Sequence, residues 1–267
     1  MNMKRVGTAL IGFPLVACTL IFGNKYVIDI LFAMVSAIAL FEYNNALKTK
    51  TKPVLWVGYF ACCLMAFIHI IPKQYLVNII GMLMATTVLI LFLHVIITNM
   101  KVDIIDIAVT FFGIAYIVVF ILFIPVLMGN ENGKLLVWYI IFAAWGTDVF
   151  AYCIGKRFGK HKFSPVSPKK SIEGCIGGTI GSLVFIVIYT VLLNNYFNMN
   201  INYIVISIIG IVLSLIGQIG DFAASTIKRY VGIKDYGNLF PGHGGMLDRI
   251  DSVIFIAPFA YFLLMLI

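Results

Sequence analysis

Apolar runs about as long as a bilayer is thick recur along this chain, and nothing else in the sequence restricts its fold as much. In hydrocarbon, every backbone N–H and C=O must be satisfied within the protein, so a run of about 20 apolar residues crosses as a helix. Nine such runs can be marked, at roughly 6–22, 26–47, 53–72, 75–99, 103–128, 134–155, 174–195, 202–223 and 250–267. Pro53, Pro72 and the polar stretch 194–200 mark breaks between runs. The expected fold class is an all-α polytopic integral membrane protein with about nine transmembrane helices.

Charge supports this count. With the N-terminus cytoplasmic, 16 of the 19 Lys and Arg fall in cytoplasmic segments, and only Lys25, Lys73 and Lys134 fall outside. A miscount by one span would flip the later loops and spoil the asymmetry. Only 11% of the residues are charged, against about a quarter in soluble domains. The mean hydropathy of +1.04 says that lipid receives the apolar side chains. The net charge of +8 is dealt out between apolar runs, which argues against a nucleic-acid partner. Lys4 and Arg5 precede an apolar run to Phe22 that is long for a signal peptide, so it reads as a retained first helix. Leu15-Val16-Ala17-Cys18 resembles a lipoprotein processing box, but a soluble domain would then be expected to follow. The five cysteines show neither C-x-x-C nor His/Cys metal spacing. No internal repeat is visible. The ionisable groups divide the chain into a membrane scaffold, 1–133, of about five helices, and a catalytic membrane region, 134–267, of about four helices and two cytoplasmic loops.

The chemistry concentrates in the last of those loops, Ser225 to Asp251. Lys228, Arg229, Lys234 and Arg249 can neutralise phosphate oxygens. Asp221, Asp235, Asp248 and Asp251 can hold a hard cation through oxygen. Gly242, Gly244 and Gly245 let backbone approach a ligand, and His243 titrates near neutrality. The positive-inside rule would supply the basic residues of an ordinary loop, but not four carboxylates or a P-G-H-G-G turn. The loop therefore reads as a site for a phosphorylated ligand at a membrane surface.

Two upstream stretches extend it. Asp148, Tyr152 and Gly155 share one helix face at the end of the sixth run, and an Asp within a span costs about 2.5–3.5 kcal/mol at its centre. Either Lys156 or Arg157 pairs with it, or it faces a site. In the following loop, Lys169, Lys170 and Ser171 stand just before a helix start, where anions are favoured. Gly174 with Gly178, and Gly177 with Gly181, permit close helix approach. Ser207, Gly210, Ser214, Gly217 and Asp221 form a small-residue stripe that delivers a carboxylate to the membrane boundary. His69 and His94 read as hydrogen-bonded packing residues, and Asp29 and Glu42 as groups near the ends of the second run that can reach water.

Together these runs resemble the signature of phosphatidate cytidylyltransferases, the CDP-diacylglycerol synthases. The main run is S-x-x-K-R-x-x-G-I-K-D-x-G-x-x-x-P-G-H-G-G-x-L-D-R-x-D, from Ser225 to Asp251. D-x-x-A-Y-x-x-G-K-x-x-G-K from Asp148, S-P-K-K-S-x-E-G from Ser167 and Q-x-G-D from Gln218 resemble the same family. The resemblance covers roughly the C-terminal half. It implies an inner-membrane enzyme, with its site on the cytoplasmic side, that makes CDP-diacylglycerol and pyrophosphate from CTP and phosphatidic acid. It also implies magnesium and a homodimer. The pattern departs at Ala224, where the family is acidic, so no side-chain role carries over there.

That reaction joins two anions, so charge neutralisation and positioning matter more than a strong base. Asp221 and Asp248, with Asp251 or Asp148, are the expected magnesium ligands. Lys228, Arg229, Arg249, Lys169 and Lys170 would bind phosphates, and His243 could donate to a phosphate oxygen. Ser171, Tyr152, Lys234 and the three glycines complete the expected binding set. Two alternatives stay open at this point: a related CTP-dependent enzyme acting on another membrane lipid, and a secondary transporter. Against the transporter, the ionisable groups gather on one side and no inverted repeat is seen.

Overall fold

The computed structural model describes residues 14, 16–164, 166–168, 170–240, 242 and 244–267. Among these the chain is all-helical, with no strand and two isolated bridges. The helices are α1 (Lys25–Leu47), α2 (Leu55–Met65), α3 (Leu76–Ile97), α4 (Ile104–Met128), α5 (Gly133–Phe158), α6 (Ile172–Phe197), α7 (Tyr203–Val231) and α8 (Leu247–Leu264). Six of them (α1, α3, α4, α5, α6 and α7) are long and apolar enough to cross a membrane. The expected run 6–22 lies mostly outside the described residues, although 16–22 are helical.

The run expected at 53–72 differs from the structure. α2 ends after 11 residues, and a single tight turn at Ile68–Ile70 follows. The run is therefore an 11-residue helix followed by a turn, and not one continuous α-helix. A specific bond forms at the break. Asp29 of α1, fully buried, accepts hydrogen bonds from the His69 backbone N–H (3.2 Å) and from Nδ1 (2.5 Å). The chain leaves α geometry to bring both donors of His69 to one carboxylate. Asp29 therefore does not reach water as the sequence suggested; burial would be costly without those bonds. His94, by contrast, sets its ring edge-on to Trp56.

The chain folds as two compact units. The first holds residues 1–129 and 230–249, the second 130–229 and 250–267. In the first, α1 packs on α2 and on α4. The middle of α4 widens to a π turn over Ile114–Val119 where Tyr43 lies against Gly113. A Cβ on Gly113 would meet the Tyr43 ring at 2.6 Å, so the bulk of the ring is accommodated by the missing side chain.

In the second unit, α5 and α6 lie side by side along most of their length, and glycines set their spacing. A Cβ on Gly178 would meet the Thr147 carbonyl at 2.7 Å, and one on Gly174 the Ala151 carbonyl at 2.9 Å. The small-residue stripe of α7 is likewise a packing face. Gly210 meets Ile186 of α6, Gly217 meets Ile256 of α8, and Ser214 bonds Thr147 Oγ1 (2.6 Å) and Thr179 Oγ1 (3.3 Å). Gly220, absent from the stripe as read in sequence, makes the tightest approach to α8. A Cβ there would lie 2.7 Å from the Asp251 carbonyl. α7 also runs two turns past its expected end, so Lys228 and Arg229 sit in its last turn, where cations complement the helix dipole.

These contacts separate two glycines. At Gly217 the nearest atom is the flexible tip of Ile256, so Gly217→Ala should be nearly neutral, whereas Gly217→Leu should overpack. At Gly220 the obstacle is backbone, so even Gly220→Ala should cost about 1–3 kcal/mol. Thermal unfolding of detergent-solubilised variants reads both. A Gly220→Ala protein that melts like the parent would contradict the close helix approach.

Candidate active site

Unit two gathers one set of the expected residues. The α5–α6 connection folds back on itself: Phe163 N–H donates to the Lys170 carbonyl (3.1 Å), and Ile172 N–H to the His161 carbonyl (2.9 Å). Ser171 caps α6, its Oγ accepting from Gly174 N–H at 3.1 Å. Glu173 reaches back to His161 Nδ1 (2.6 Å) and so ties the connection to the helix start. The fold-back aims Lys170 at α7, where Nζ forms an ion pair with Asp221 Oδ2. The same ammonium lies 4.6 Å from the centre of the Phe222 ring, which in turn stacks on Phe163 (4.7 Å). Arg229 Nε donates to the Val166 carbonyl (3.4 Å).

Beside the ion pair is a cavity of about 510 Å³. Asp148, Tyr152, Gly155 and Lys156 of α5, Lys170, Ser171, Gly174 and Cys175, and Gln218 of α7 all line it. The α5 face read from sequence thus opens on a cavity of ligand size. Gln218 is fixed by Thr179 Oγ1 (3.0 Å) and the Cys175 carbonyl (3.3 Å). Asp251, 9% exposed, feels the charges of both Asp221 and Asp148, with Lys228 as a nearby cation. Ala224 is fully buried in α7.

Among the described residues, no three His, Cys, Asp or Glu side chains converge tightly enough to chelate a metal alone. The donor set suits magnesium all the same. That ion is commonly held by one or two carboxylates together with substrate phosphates, not by a closed protein cage. Asp221 already carries a cationic partner in Lys170, and Asp251 and Asp148 add negative potential to the same locality.

Unit one holds the other set. Among the residues that connect α7 to α8, Gly242 (φ 81°) and Gly244 (φ 85°) take left-handed conformations, and Phe240 N–H donates to the Gly244 carbonyl (2.9 Å). Asp248 Oδ2 accepts from Tyr236 N–H (2.8 Å) and Gly245 N–H (3.0 Å). The carboxylate is thereby oriented by the loop it closes. Lys234 and Arg249 are exposed. Lys169 and His243 lie outside the described residues. The sequence reading missed Glu42. Expected to reach water, it is 5% exposed and accepts from Met246 N–H (2.9 Å) and Leu247 N–H (2.8 Å). The signal was present, since a Glu inside an apolar run carries the same insertion cost that singled out Asp148.

Comparison with known proteins adds an independent line. A family model described as "Cytidylyltransferase family" matches residues 3–267. A phosphatidate cytidylyltransferase of Bacillus subtilis (strain 168) is 32% identical over 258 residues, 92% of each chain. One from Staphylococcus haemolyticus (strain JCSC1435) is 41% identical over 136 residues, 51% of each chain. One from Staphylococcus aureus (strain COL) is 48% identical over 130 residues, 47% of this chain and 48% of the relative.

The Lys170–Asp221 pair should behave as one unit. Lys170→Met and Asp221→Asn should each change stability, and the double variant should fall short of their sum by about 0.5–3 kcal/mol. Thermal melts of the four proteins close this cycle. Strict additivity would show that the ion pair is not formed in solution.

Proposed function

The chain belongs to the cytidylyltransferase family, and from that premise we propose that it transfers a cytidylyl group from CTP to phosphatidic acid, giving CDP-diacylglycerol and pyrophosphate. The observation that carries this reading is the cavity beside the Lys170–Asp221 pair, in a helical protein whose full-length relative bears the name of that activity. Such a site has cationic groups for phosphates and carboxylates for a hard cation. It is also built from helices apolar enough to lie in the membrane that stores the lipid substrate.

An oxygen of the phosphatidic acid phosphate attacks the α-phosphorus of CTP. The P–O bond to the β-phosphate breaks, and pyrophosphate leaves with the electron pair. The nucleophile is already anionic near neutral pH, so no strong base is required. The residues must instead hold two anions in line and offset their repulsion. Lys170 and Lys156 at the cavity, with Lys228 and Arg229 on α7, supply positive charge to phosphates. We assign Arg249 and Lys234 to the same task, with Lys169 and His243, on the strength of the sequence motif. Tyr152, Ser171 and Gln218 shape the cavity.

Magnesium, when bound, neutralises phosphate oxygens and polarises the α-phosphorus. Asp221 and Asp251, with Asp148 nearby, would hold it, and Lys170 would exchange its partner for a phosphate. Asp248 has Oδ2 engaged by two backbone donors, yet a carboxylate has about four lone-pair sites. Its assignment as a ligand rests on the motif. The 16-to-3 split of basic residues supports nine spans with the N-terminus and both large loops cytoplasmic, in the inner membrane of a bacterial cell. The family resemblance supports a homodimer.

Asp221→Asn and Asp248→Asn keep size and remove charge. Each should lower cytidylyl transfer by two or more orders of magnitude, since loss of about 1.4 kcal/mol is tenfold. Their double variant should lose little more than either alone. Asp235→Asn should lose far less. The assay is transfer to phosphatidic acid against magnesium concentration. Near-parental rates for either variant would remove that residue from the cation site.

Topology is testable separately. In a cysteine-free background, a cysteine at Asn198 should label from outside intact cells, and one at Ser164 only after permeabilisation. The opposite pattern would put CTP on the wrong side and overturn the nine-span arrangement.

A further inference from the structure

We propose that Glu42, in the scaffold helix α1, is a positioning residue for the reaction: it caps the N-terminus of α8 from a distance and fixes the turn that presents Asp248 and Arg249. The inference rests on the cytidylyltransferase reading, because it concerns where that reading's residues are held.

The first N–H groups of any helix have no partner inside the helix. For α8, three donors at the entry are accounted for by two carboxylates. Gly245 N–H goes to Asp248 Oδ2, one of the helix's own residues. Met246 N–H and Leu247 N–H go to Glu42 Oε1 and Oε2, which lie 204 and 205 positions away in sequence. Each oxygen of one carboxylate thus serves one amide, and its negative charge sits at the positive end of the helix dipole. Leu247 is fully buried, and its N–H takes Glu42 Oε2 as its partner.

The two glycines of the signature run that flank this turn are explained by the same side chain. A Cβ on Gly245 would lie 2.3 Å from Glu42 Oε2, and one on Gly237 2.6 Å from Glu42 Oε1. Neither glycine takes a left-handed conformation; the ones in this run that do are Gly232, Gly242 and Gly244. Gly237 and Gly245 are thus small because Glu42 needs the space. The sequence reading gave Gly245 to ligand approach, whereas its backbone approaches a carboxylate of its own chain.

The clamp has a functional consequence because of what it holds. Asp248 closes the loop through Tyr236 and Gly245, Arg249 follows it in the first turn of α8, and Asp251 is less than one turn further along the same helix. If α8 began elsewhere, Asp248 and Arg249 would be displaced. A misplacement of about 1 Å can cost about 100-fold in rate without touching the chemistry. Binding of CTP and of phosphatidic acid draws on many other groups, so the loss should appear in kcat and not in KM.

The test uses full-length Glu42→Gln and Glu42→Ala in detergent or proteoliposomes, with parental protein in the same assay. Glu42→Gln turns one acceptor into an NH₂ that faces a backbone N–H, so it breaks half of the clamp while keeping the volume. It should lower kcat at least about tenfold, with KM for CTP and for phosphatidic acid within about twofold; Glu42→Ala should lower kcat further. Limited trypsin digestion reads the loop itself. Cleavage at exposed Lys234 should speed up several-fold in both variants, while cleavage at exposed Lys160 and Lys162 should stay at the parental rate. Unchanged kcat, a loss carried by KM alone, or a kcat loss with parental cleavage at Lys234 would each overturn the proposal. So would a general rise in cleavage at both places, because it would mark global destabilisation. Should the parental protein itself make no CDP-diacylglycerol, the functional reading fails, and the digestion pattern still reports on the clamp.

Discussion

A carboxylate among apolar helices must find hydrogen bonds or an opposite charge, and the architecture of this protein follows from how four of them do so. Asp29 takes both donors of His69 and breaks α2 to get them. Glu42 takes the entry amides of α8. Asp221 takes Lys170 and thereby pins the α5–α6 connection onto α7. Asp251 takes the Ser252 N–H (2.8 Å) and has Lys228 as a nearby cation. Leaving any of these groups unpaired would cost more than most single packing contacts contribute. Two of the four serve architecture, and the other two lie among the charged groups of the second unit.

The helices were legible in the sequence because hydrophobic length is an intrinsic property of a segment. The runs expected at 26–47, 75–99, 103–128, 134–155 and 174–195 correspond to α1 and α3–α6 within a few residues. The break within 53–72 has a different origin. There the chain turns and sets His69 against Asp29, 40 residues earlier, a bond that no residue of the run announces. The overrun of α7 also escaped notice, since Lys228 and Arg229 look like loop residues until they are seen to end a helix. The stripe on α7 was readable from its spacing, but Gly220 was not, because only the position of the Asp251 carbonyl makes it necessary.

The site was legible in residue type more than in arrangement. Asp148, Tyr152, Lys170, Ser171 and Asp221 were all singled out from the sequence, and all either line the cavity or pair with a residue that does. The roles of the glycines were less accessible. Glycine in a phosphate-rich context suggests approach to a ligand, whereas Gly245 makes room for a glutamate more than 200 residues earlier. Glu42 itself was passed over because it stands near the end of an apolar run, where a charged group ordinarily reaches water. Burial of an acidic residue is a three-dimensional fact, and the only trace it leaves in the sequence is the cost of placing it there.

The most direct measurement is the reaction itself. Purified protein is supplied with CTP, magnesium and vesicles with or without phosphatidic acid, and both products are quantified. The account predicts equal amounts of pyrophosphate and CDP-diacylglycerol, formed only when phosphatidic acid is present. Pyrophosphate released without that lipid, or cytidylyl transfer to a different membrane lipid with phosphatidic acid left unused, would contradict it.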